Sequence, residues 1–259
     1  MIPLLIPPLT GLHVLVTRPV LQAEGLCQRI ESLGGTTLRL PALHIEAQQA
    51  IIPDTRYDLL IFISSNAVQH GQAILKTQPQ ARIAAVGSAT AQALQSLGHA
   101  IDVAPEQASS SETLLAHPLL LTPPPNVLIV RGNGGRELLR ETLIARGSKV
   151  DVVEPYRRVA AQPDAQQLDT LRQQLQTDAL DVISVTSVDI LQALDGMFDA
   201  DMRPLAHACV LLAGSTRIAG AARAAGWQGE CVIARSPEDA ELIAALVRWH
   251  TRARGELLR

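Results

Sequence analysis

The stretch Val14-Leu15-Val16-Thr17-Arg18-Pro19 decides the fold, because a related stretch, Val127-Leu128-Ile129-Val130-Arg131-Gly132, follows later in the chain. Two further runs are also repeated: Asp58–Ser65 as Asp181–Ser187, and Ile83–Ser88 as Val210–Ser215. Each run is a short apolar segment that ends in Gly, Ser, Thr or Arg just before a helical pattern. The order of the copies predicts a duplication in which one copy is threaded through the other.

The strands are apolar throughout and alternate with helices, a pattern typical of parallel sheets covered on both faces. We therefore predict an α/β fold with two similar lobes, each a parallel sheet flanked by helices, joined by a two-stranded linker. Lobe 1 would comprise residues 1–37 plus 160–259, and lobe 2 residues 44–150. Residues 38–43 and 151–159 would be the linker strands, which would permit hinge motion between the lobes.

The composition limits which classes of molecule the protein is expected to bind. A chain of 259 residues is long enough for two ordinary cores. Only 2% of the residues are aromatic and the formal net charge is −3, which disfavours nucleic-acid binding. Pro3, Pro7 and Pro8 interrupt the apolar N-terminus, which does not read as a signal peptide, and no apolar run could span a membrane. We expect a cytoplasmic monomer.

Familiar catalytic motifs are absent from the sequence. It has no P-loop, no complete dinucleotide fingerprint and no nucleophile elbow. The seven histidines are scattered, and the three cysteines show no Cys-x-x-Cys spacing. We therefore expect no metal site.

Five turns between a strand and a helix carry groups that bind anions: backbone amides, hydroxyls and the positive end of a helix. They are Ser64-Ser65-Asn66, Gly87-Ser88-Ala89-Thr90, Gly132-Asn133-Gly134-Gly135, Thr186-Ser187 and Gly214-Ser215-Thr216. Any single turn reads equally as an ordinary helix cap. Five such turns at strand ends in two matched lobes favour a shared cleft for an anionic ligand.

Three arginines and one tyrosine are further candidates. Arg18 and Arg131 follow matched strands, and Arg136 lies beside the glycine cluster, so each would add positive charge or be a solvated surface residue. Tyr156 lies in the second predicted linker, facing the presumed cleft. Its phenol would donate a proton to a leaving oxygen, or its ring would pack the linker against a lobe.

The chain resembles the uroporphyrinogen-III synthase family from about Val14 to Leu246. The matching elements are Val16-Thr17-Arg18-Pro19, Phe62–Val68, Val86–Ala91, Arg131-Gly132, Gly135–Leu138, Tyr156 and Val185-Thr186-Ser187. The resemblance implies cofactor-free cyclisation of hydroxymethylbilane to uroporphyrinogen III, in which water is lost and ring D is inverted through a spiro intermediate. It also implies hand-over of the substrate from hydroxymethylbilane synthase.

The resemblance assigns roles by position. Tyr156 matches the family's linker tyrosine, which assists departure of the hydroxyl. The substrate carboxylates would be held by Ser64, Ser65, Thr90, Thr186 and Ser187. By analogy with Gly87–Thr90, the family's second threonine would fall at Arg217, so that Ser215, Thr216 or Arg217 takes its place.

Two other interpretations stay open at this point. One is a non-catalytic, two-lobed protein that binds a small anion, although the chain shows no export signal. The other is an α/β enzyme acting on a nucleotide or sugar phosphate, which the incomplete glycine motifs disfavour.

Overall fold

The computed structural model describes residues 6–104, 111–134 and 137–257. The chain divides into two compact units, of which unit 1 comprises Met1–His44 with Ala160–Arg259 and unit 2 comprises Ile45–Val159. Gly135 and Arg136, two of the candidate residues, lie outside the described residues.

Strands and helices alternate along most of the chain. The first half contains β1 (His13–Val16), α1 (Val20–Ser32), β2 (Thr36–Arg39), β3 (Leu43–Ala47), β4 (Leu59–Phe62), α2 (Ser65–His70), α3 (Gln72–Thr77), β5 (Arg82–Ala85), α4 (Ser88–Ser96), α5 (Ser111–Leu115) and α6 (Pro118–Leu121). The second half contains β6 (Asn126–Gly132), α7 (Leu138–Ala145), β7 (Lys149–Ala160), α8 (Ala165–Gln176), β8 (Val182–Val185), α9 (Val188–Asp195), α10 (Met202–Ala208), β9 (Val210–Ala213), α11 (Thr216–Ala224), β10 (Cys231–Ile233) and α12 (Asp239–Leu257).

Unit 1 is built on a five-stranded parallel sheet in the order β10-β9-β8-β1-β2. Alternate residues of β1 enter two different cores: Leu15 packs with α8 to α11, whereas Val14 and Val16 pack with α1 and α12. Burial on both faces explains why β1, β8 and β9 are largely apolar, whereas the edge strand β2 is polar and partly exposed.

Unit 2 repeats this arrangement with the strand order β3-β7-β6-β4-β5. The pairs β7–β6, β6–β4 and β4–β5 are parallel. Leu60 and Phe62 of β4 face a core formed with α2, α3 and α4, while Leu59 and Ile61 face the core formed with α5, α6 and α7. The predicted α/β fold class, two similar units of parallel sheet flanked by helices, is confirmed.

The strand register reproduces the duplication seen in the sequence. Val14 pairs with Val182 in unit 1, and the repeat-related Val127 pairs with Leu59 in unit 2. The order of the repeats differs, because β1 and β2 precede β8 to β10 in unit 1, whereas β6 and β7 follow β4 and β5 in unit 2. The two units therefore share one strand arrangement, and the chain orders of their strands are related by circular permutation.

Two local features follow from single residues. Helices α2 and α3 are separated by Gly71, where a Cβ would lie 2.5 Å from the Ala67 carbonyl oxygen. The proline-rich segment before β6 contains the short helix α6, whose first residue is Pro118, a favoured position for proline.

The residues expected to form the linker belong to strands or lie beside them. Residues 151–159 fall within β7, which pairs with β6 in the sheet of unit 2. Residues 38–43 contain the end of β2 and the first residue of β3. That these segments act as a linker stays a prediction.

Candidate active site

Tyr156 and Ser64 are joined by a hydrogen bond in unit 2, with 2.9 Å between their oxygen atoms. Tyr156 is only 4% exposed, and its ring belongs to the core of unit 2 beside His70. Gly132 is its partner residue in the β6–β7 register. Because β7 continues the sheet, the Tyr156 ring packs into the core of unit 2, and a role for its phenol at a cleft stays a prediction.

The turns that follow β4 and β5 keep their predicted positions before α2 and α4. Ser64 caps α2, since its Oγ accepts a hydrogen bond from the backbone N–H of Ala67 at 3.1 Å. Ser65 and Asn66 are half-buried at the start of α2. Ser88 is exposed at the start of α4, whereas Thr90, two residues later, is buried.

Arg131 and Asn133 are already engaged by neighbouring groups. Arg131 lies in β6 and pairs with Glu137 at 2.8 Å and with Glu154 at 3.2 Å. Together these three residues line one part of a groove of about 480 Å³ in unit 2. The Oδ1 atom of Asn133 accepts a hydrogen bond from the backbone N–H of Arg158 at 2.6 Å.

The carboxyl edge of the sheet in unit 1 carries two serine caps. Ser187 Oγ accepts a hydrogen bond from Ile190 N–H at 3.1 Å, and Ser215 Oγ accepts one from Ile218 N–H at 3.4 Å. Because β8 and β9 are parallel neighbours, α9 and α11 begin at the same edge of this sheet. Thr186 is half-buried and Thr216 is exposed at this edge.

Arg18 is a buried side chain with partners in α12 and just before it. Its guanidinium donates to the carboxylate of Asp239, the first residue of α12, and to the carbonyl oxygen of Pro237. This arrangement ties the end of β1 to the start of the last helix. A substrate carboxylate would have to compete with Asp239 for Arg18.

The register settles which residue of unit 1 corresponds to Thr90. Leu59 pairs with Arg82 and the equivalent Val182 pairs with Val210, so Thr90 corresponds to Ile218 rather than to Arg217. Ile218 is buried in the core. The register therefore differs by one residue from the sequence repeat, which aligned Ile83 with Val210, and Arg217 corresponds to Ala89. That Ser215, Thr216 or Arg217 contacts the substrate stays a prediction.

The same comparison shows that Ser64 corresponds to Ser187. Both residues have extended backbone angles and cap the helix that follows their strand. Arg217 is exposed on the first turn of α11 and, among the described residues, has no ion pair.

Three residues at this edge of unit 1 were missed by the sequence analysis. Arg235 follows β10, is exposed and has no ion-pair partner within the described part of the chain. The segment Arg235-Ser236-Pro237 contains an Arg and a Pro, as Thr17-Arg18-Pro19 does. This likeness is the sequence signal that could have identified Arg235 as a candidate. Val20 and Leu21 are 64% and 76% exposed at the start of α1 and offer apolar surface.

Residues 6–104, 111–134 and 137–257 contain neither a metal-binding cluster nor a membrane-spanning helix. No three His, Cys, Asp or Glu side chains in these ranges come together in a way that could hold a metal ion. None of the helices in the same ranges is long and apolar enough to cross a membrane.

The fold and the candidate residues define an α/β protein of two related parallel-sheet units, each with hydroxyl groups and helix starts at the carboxyl edge of its sheet. The family model described as "Uroporphyrinogen-III synthase HemD" matches residues 24–244. The chain belongs to the uroporphyrinogen-III synthase family.

Individual relatives agree with this family. The chain is 34% identical over 248 residues to the uroporphyrinogen-III synthase of Escherichia coli K12, covering 90% of this chain and 99% of that protein. It is also 34% identical over 249 residues to the uroporphyrinogen-III synthase of Salmonella typhimurium, with the same coverage.

Solved structures support the fold. A mutant uroporphyrinogen III synthase from Thermus thermophilus aligns with a TM-score of 0.57 at 20% identity, over 92% of this chain and 98% of that one. The uroporphyrinogen-III synthetase of Helicobacter pylori aligns with a TM-score of 0.60 at 15% identity, over 92% and 99% of the two chains.

Proposed function

We propose that this chain cyclises hydroxymethylbilane to uroporphyrinogen III, with loss of water and inversion of ring D, as a carbon–oxygen lyase without a cofactor. The observation that carries the proposal is the match to the Escherichia coli uroporphyrinogen-III synthase over 90% of the chain. That relative is an enzyme of tetrapyrrole synthesis.

The chemistry of the substrate fits the groups available. The terminal hydroxyl leaves readily from an electron-rich pyrrole, so the enzyme's main task is to position ring D for attack at its substituted carbon. Every ring carries acetate and propionate carboxylates, which hydroxyls and backbone amides can bind without a strong catalytic acid.

In unit 1 we assign substrate carboxylates to the carboxyl edge of the sheet. The supporting features are the half-buried Thr186 and Ser187, the cap residue Ser215 and the exposed Thr216. Arg217 and Arg235 add two positive charges with no ion-pair partner among the described residues.

In unit 2 we assign carboxylate contacts to Ser64, Ser65, Asn66, Ser88 and Thr90. Arg131, Gly132 and Asn133 in unit 2, and Arg18 in unit 1, stay predicted contacts. A carboxylate that binds Arg131 would have to displace Glu137, which is 41% exposed, or Glu154, which is 32% exposed.

Product analysis tests the proposed function. Pure protein incubated with freshly made hydroxymethylbilane should give the type III isomer, whereas closure without an enzyme gives the symmetric type I isomer. Type I product alone, at every protein concentration, would reject the proposal and favour the non-catalytic anion-binding interpretation.

We further infer that the substrate is handed over by hydroxymethylbilane synthase and that the protein acts as a cytoplasmic monomer. Size-exclusion chromatography with light scattering checks the monomer. Hand-over predicts that the coupled reaction yields more type III product than the same amount of hydroxymethylbilane released into solution.

A further inference from the structure

Tyr156 is only 4% exposed, and its ring is packed within the core of unit 2. Its hydroxyl contacts the hydroxyl of Ser64 at 2.9 Å. Ser64 is more exposed than Tyr156 and lies between the end of β4 and the start of α2. The accessible member of this pair is therefore the serine.

The direction of the hydrogen bond follows from what a buried phenol needs. Among the described residues, Ser64 Oγ is the acceptor available to the Tyr156 O–H. If Ser64 donated instead, the Tyr156 proton would be buried without an acceptor, which is costly. Tyr156 therefore donates and Ser64 accepts.

This direction leaves Ser64 with a single free hydrogen-bonding function. A serine hydroxyl has two acceptor lone pairs and one donor hydrogen. One lone pair accepts the Ala67 N–H at 3.1 Å and the other accepts the Tyr156 O–H. The remaining hydrogen can only be donated to a third group, which must be an acceptor such as a carboxylate or a leaving hydroxyl.

The equivalent serine of unit 1 lacks this constraint. Ser187 accepts the N–H of Ile190 at 3.1 Å, so its capping bond has the same length as that of Ser64. Both tyrosines of the chain, Tyr57 and Tyr156, belong to unit 2, so within unit 1 no phenol is present to donate to Ser187. The difference between the two caps is the presence of Tyr156.

We propose that Tyr156 is a positioning residue that acts through Ser64, whose hydroxyl is the obligate donor to the substrate. This inference rests on the proposed function and changes the predicted role of Tyr156, from proton donor to the residue that sets the direction of the Ser64 hydroxyl.

A double-mutant cycle in the full-length protein tests the proposal. The kcat/KM for type III product is measured for Tyr156→Phe, Ser64→Ala and the double variant. Loss of a donor to a charged group predicts a fall of about 10- to 100-fold for Ser64→Ala, and loss of a neutral hydrogen bond predicts about 3- to 10-fold for Tyr156→Phe. The double variant should match Ser64→Ala within about twofold, because Tyr156 then has nothing to position.

Two controls separate positioning from stability. Tyr57 is the chain's other tyrosine, is 2% exposed in the same core, and donates to Asp151 at 2.8 Å. Tyr57→Phe should destabilise unit 2 to a similar extent in urea unfolding but leave kcat/KM unchanged. Ser187→Ala is measured in urea unfolding only. It gives the free energy of unfolding that is lost when a similar helix cap is removed.

The outcomes are distinct. A Tyr156→Phe loss that exceeds the Ser64→Ala loss, or losses that multiply in the double variant, would show that Tyr156 itself meets the reacting atoms and would overturn the proposal. An equal kcat/KM loss in Tyr57→Phe would overturn it as well, since the effect would then be one of stability. If the unaltered protein makes no type III product, the proposed function fails and this inference falls with it.

Discussion

Gly132 leaves the space that the ring of Tyr156 occupies: a Cβ at position 132 would lie 2.4 Å from Cε2 and 2.5 Å from Cζ of that ring. Tyr156 is packed in the core, so the ring has little freedom to move away. A single hydrogen atom as side chain at position 132 therefore allows the Tyr156–Ser64 contact to form.

We expect Gly132→Ala to lower the free energy of unfolding by about 1–3 kcal/mol, the usual cost of overpacking a core. Urea unfolding measures this change. Gly220 in α11 is the control, since a Cβ there meets nothing within 4 Å. Gly220→Ala should raise stability by about 0.5–1 kcal/mol through helix propensity. A Gly132→Ala variant as stable as the unaltered protein would contradict the packing argument.

The ion pair of Arg18 and Asp239 should contribute to stability, because the two side chains are only 9% and 26% exposed. We expect Arg18→Ala to lower the free energy of unfolding by about 2–4 kcal/mol, since it leaves a partly buried carboxylate unpaired. The matched control is Arg39→Ala, which removes a solvent-exposed pair with Glu24 and should have little effect. Similar unfolding midpoints for the two variants would show that Arg18 is not a structural anchor.

The phenol of Tyr57 should ionise well above its ordinary range. Burial and the neighbouring Asp151 carboxylate, which accepts its hydrogen bond, raise the pKa of Tyr57 from 10.0 to about 12. In the Tyr156→Phe variant Tyr57 is the only tyrosine left, so an alkaline absorbance titration of the phenol reports on it alone.

This raised pKa also affects stability. The unfolded chain loses the Tyr57 proton first, so the stabilisation is complete below pH 10 and is lost as the pH rises towards about 12. The same variant in urea should titrate at the ordinary value. A folded-state midpoint near 10 would refute the prediction.

The imidazole of His250 should make the free energy of unfolding depend on pH in the acidic range. Burial, and then the positive charge of Arg254, lower the pKa of His250 from its ordinary value of 6.5. The unfolded chain therefore binds this proton more readily, and the stabilisation present above pH 6.5 is lost as the pH falls.

Urea unfolding at about pH 7.5 and about pH 5.5, on either side of the ordinary histidine pKa, checks this expectation. His250→Gln should lose less stability between the two pH values than the unaltered protein. His44 is exposed, and His44→Gln serves as the control for the loss of an imidazole. Equal losses for all three proteins would contradict the role assigned to His250.

The repeated strands, their parallel pairing and the helix caps could be derived from the residues. A strand buried on both faces is mostly apolar, so β1, β4, β6, β8 and β9 stand out as short, nearly continuous apolar runs. A serine cap is similarly local, because Ser64 and Ser187 each bind an N–H three residues further on. Both kinds of signal depend only on near neighbours in the chain.

The environment of the candidate residues was decided by contacts between distant parts of the chain. Arg18 pairs with Asp239, 221 residues away, and Tyr156 meets Ser64 across 92 residues. The correspondence of Thr90 with Ile218 rests on strand register, which a one-residue offset between repeats conceals. Local patterns mark a residue that can bind or cap, but only packing determines whether its charge is paired and its side chain buried.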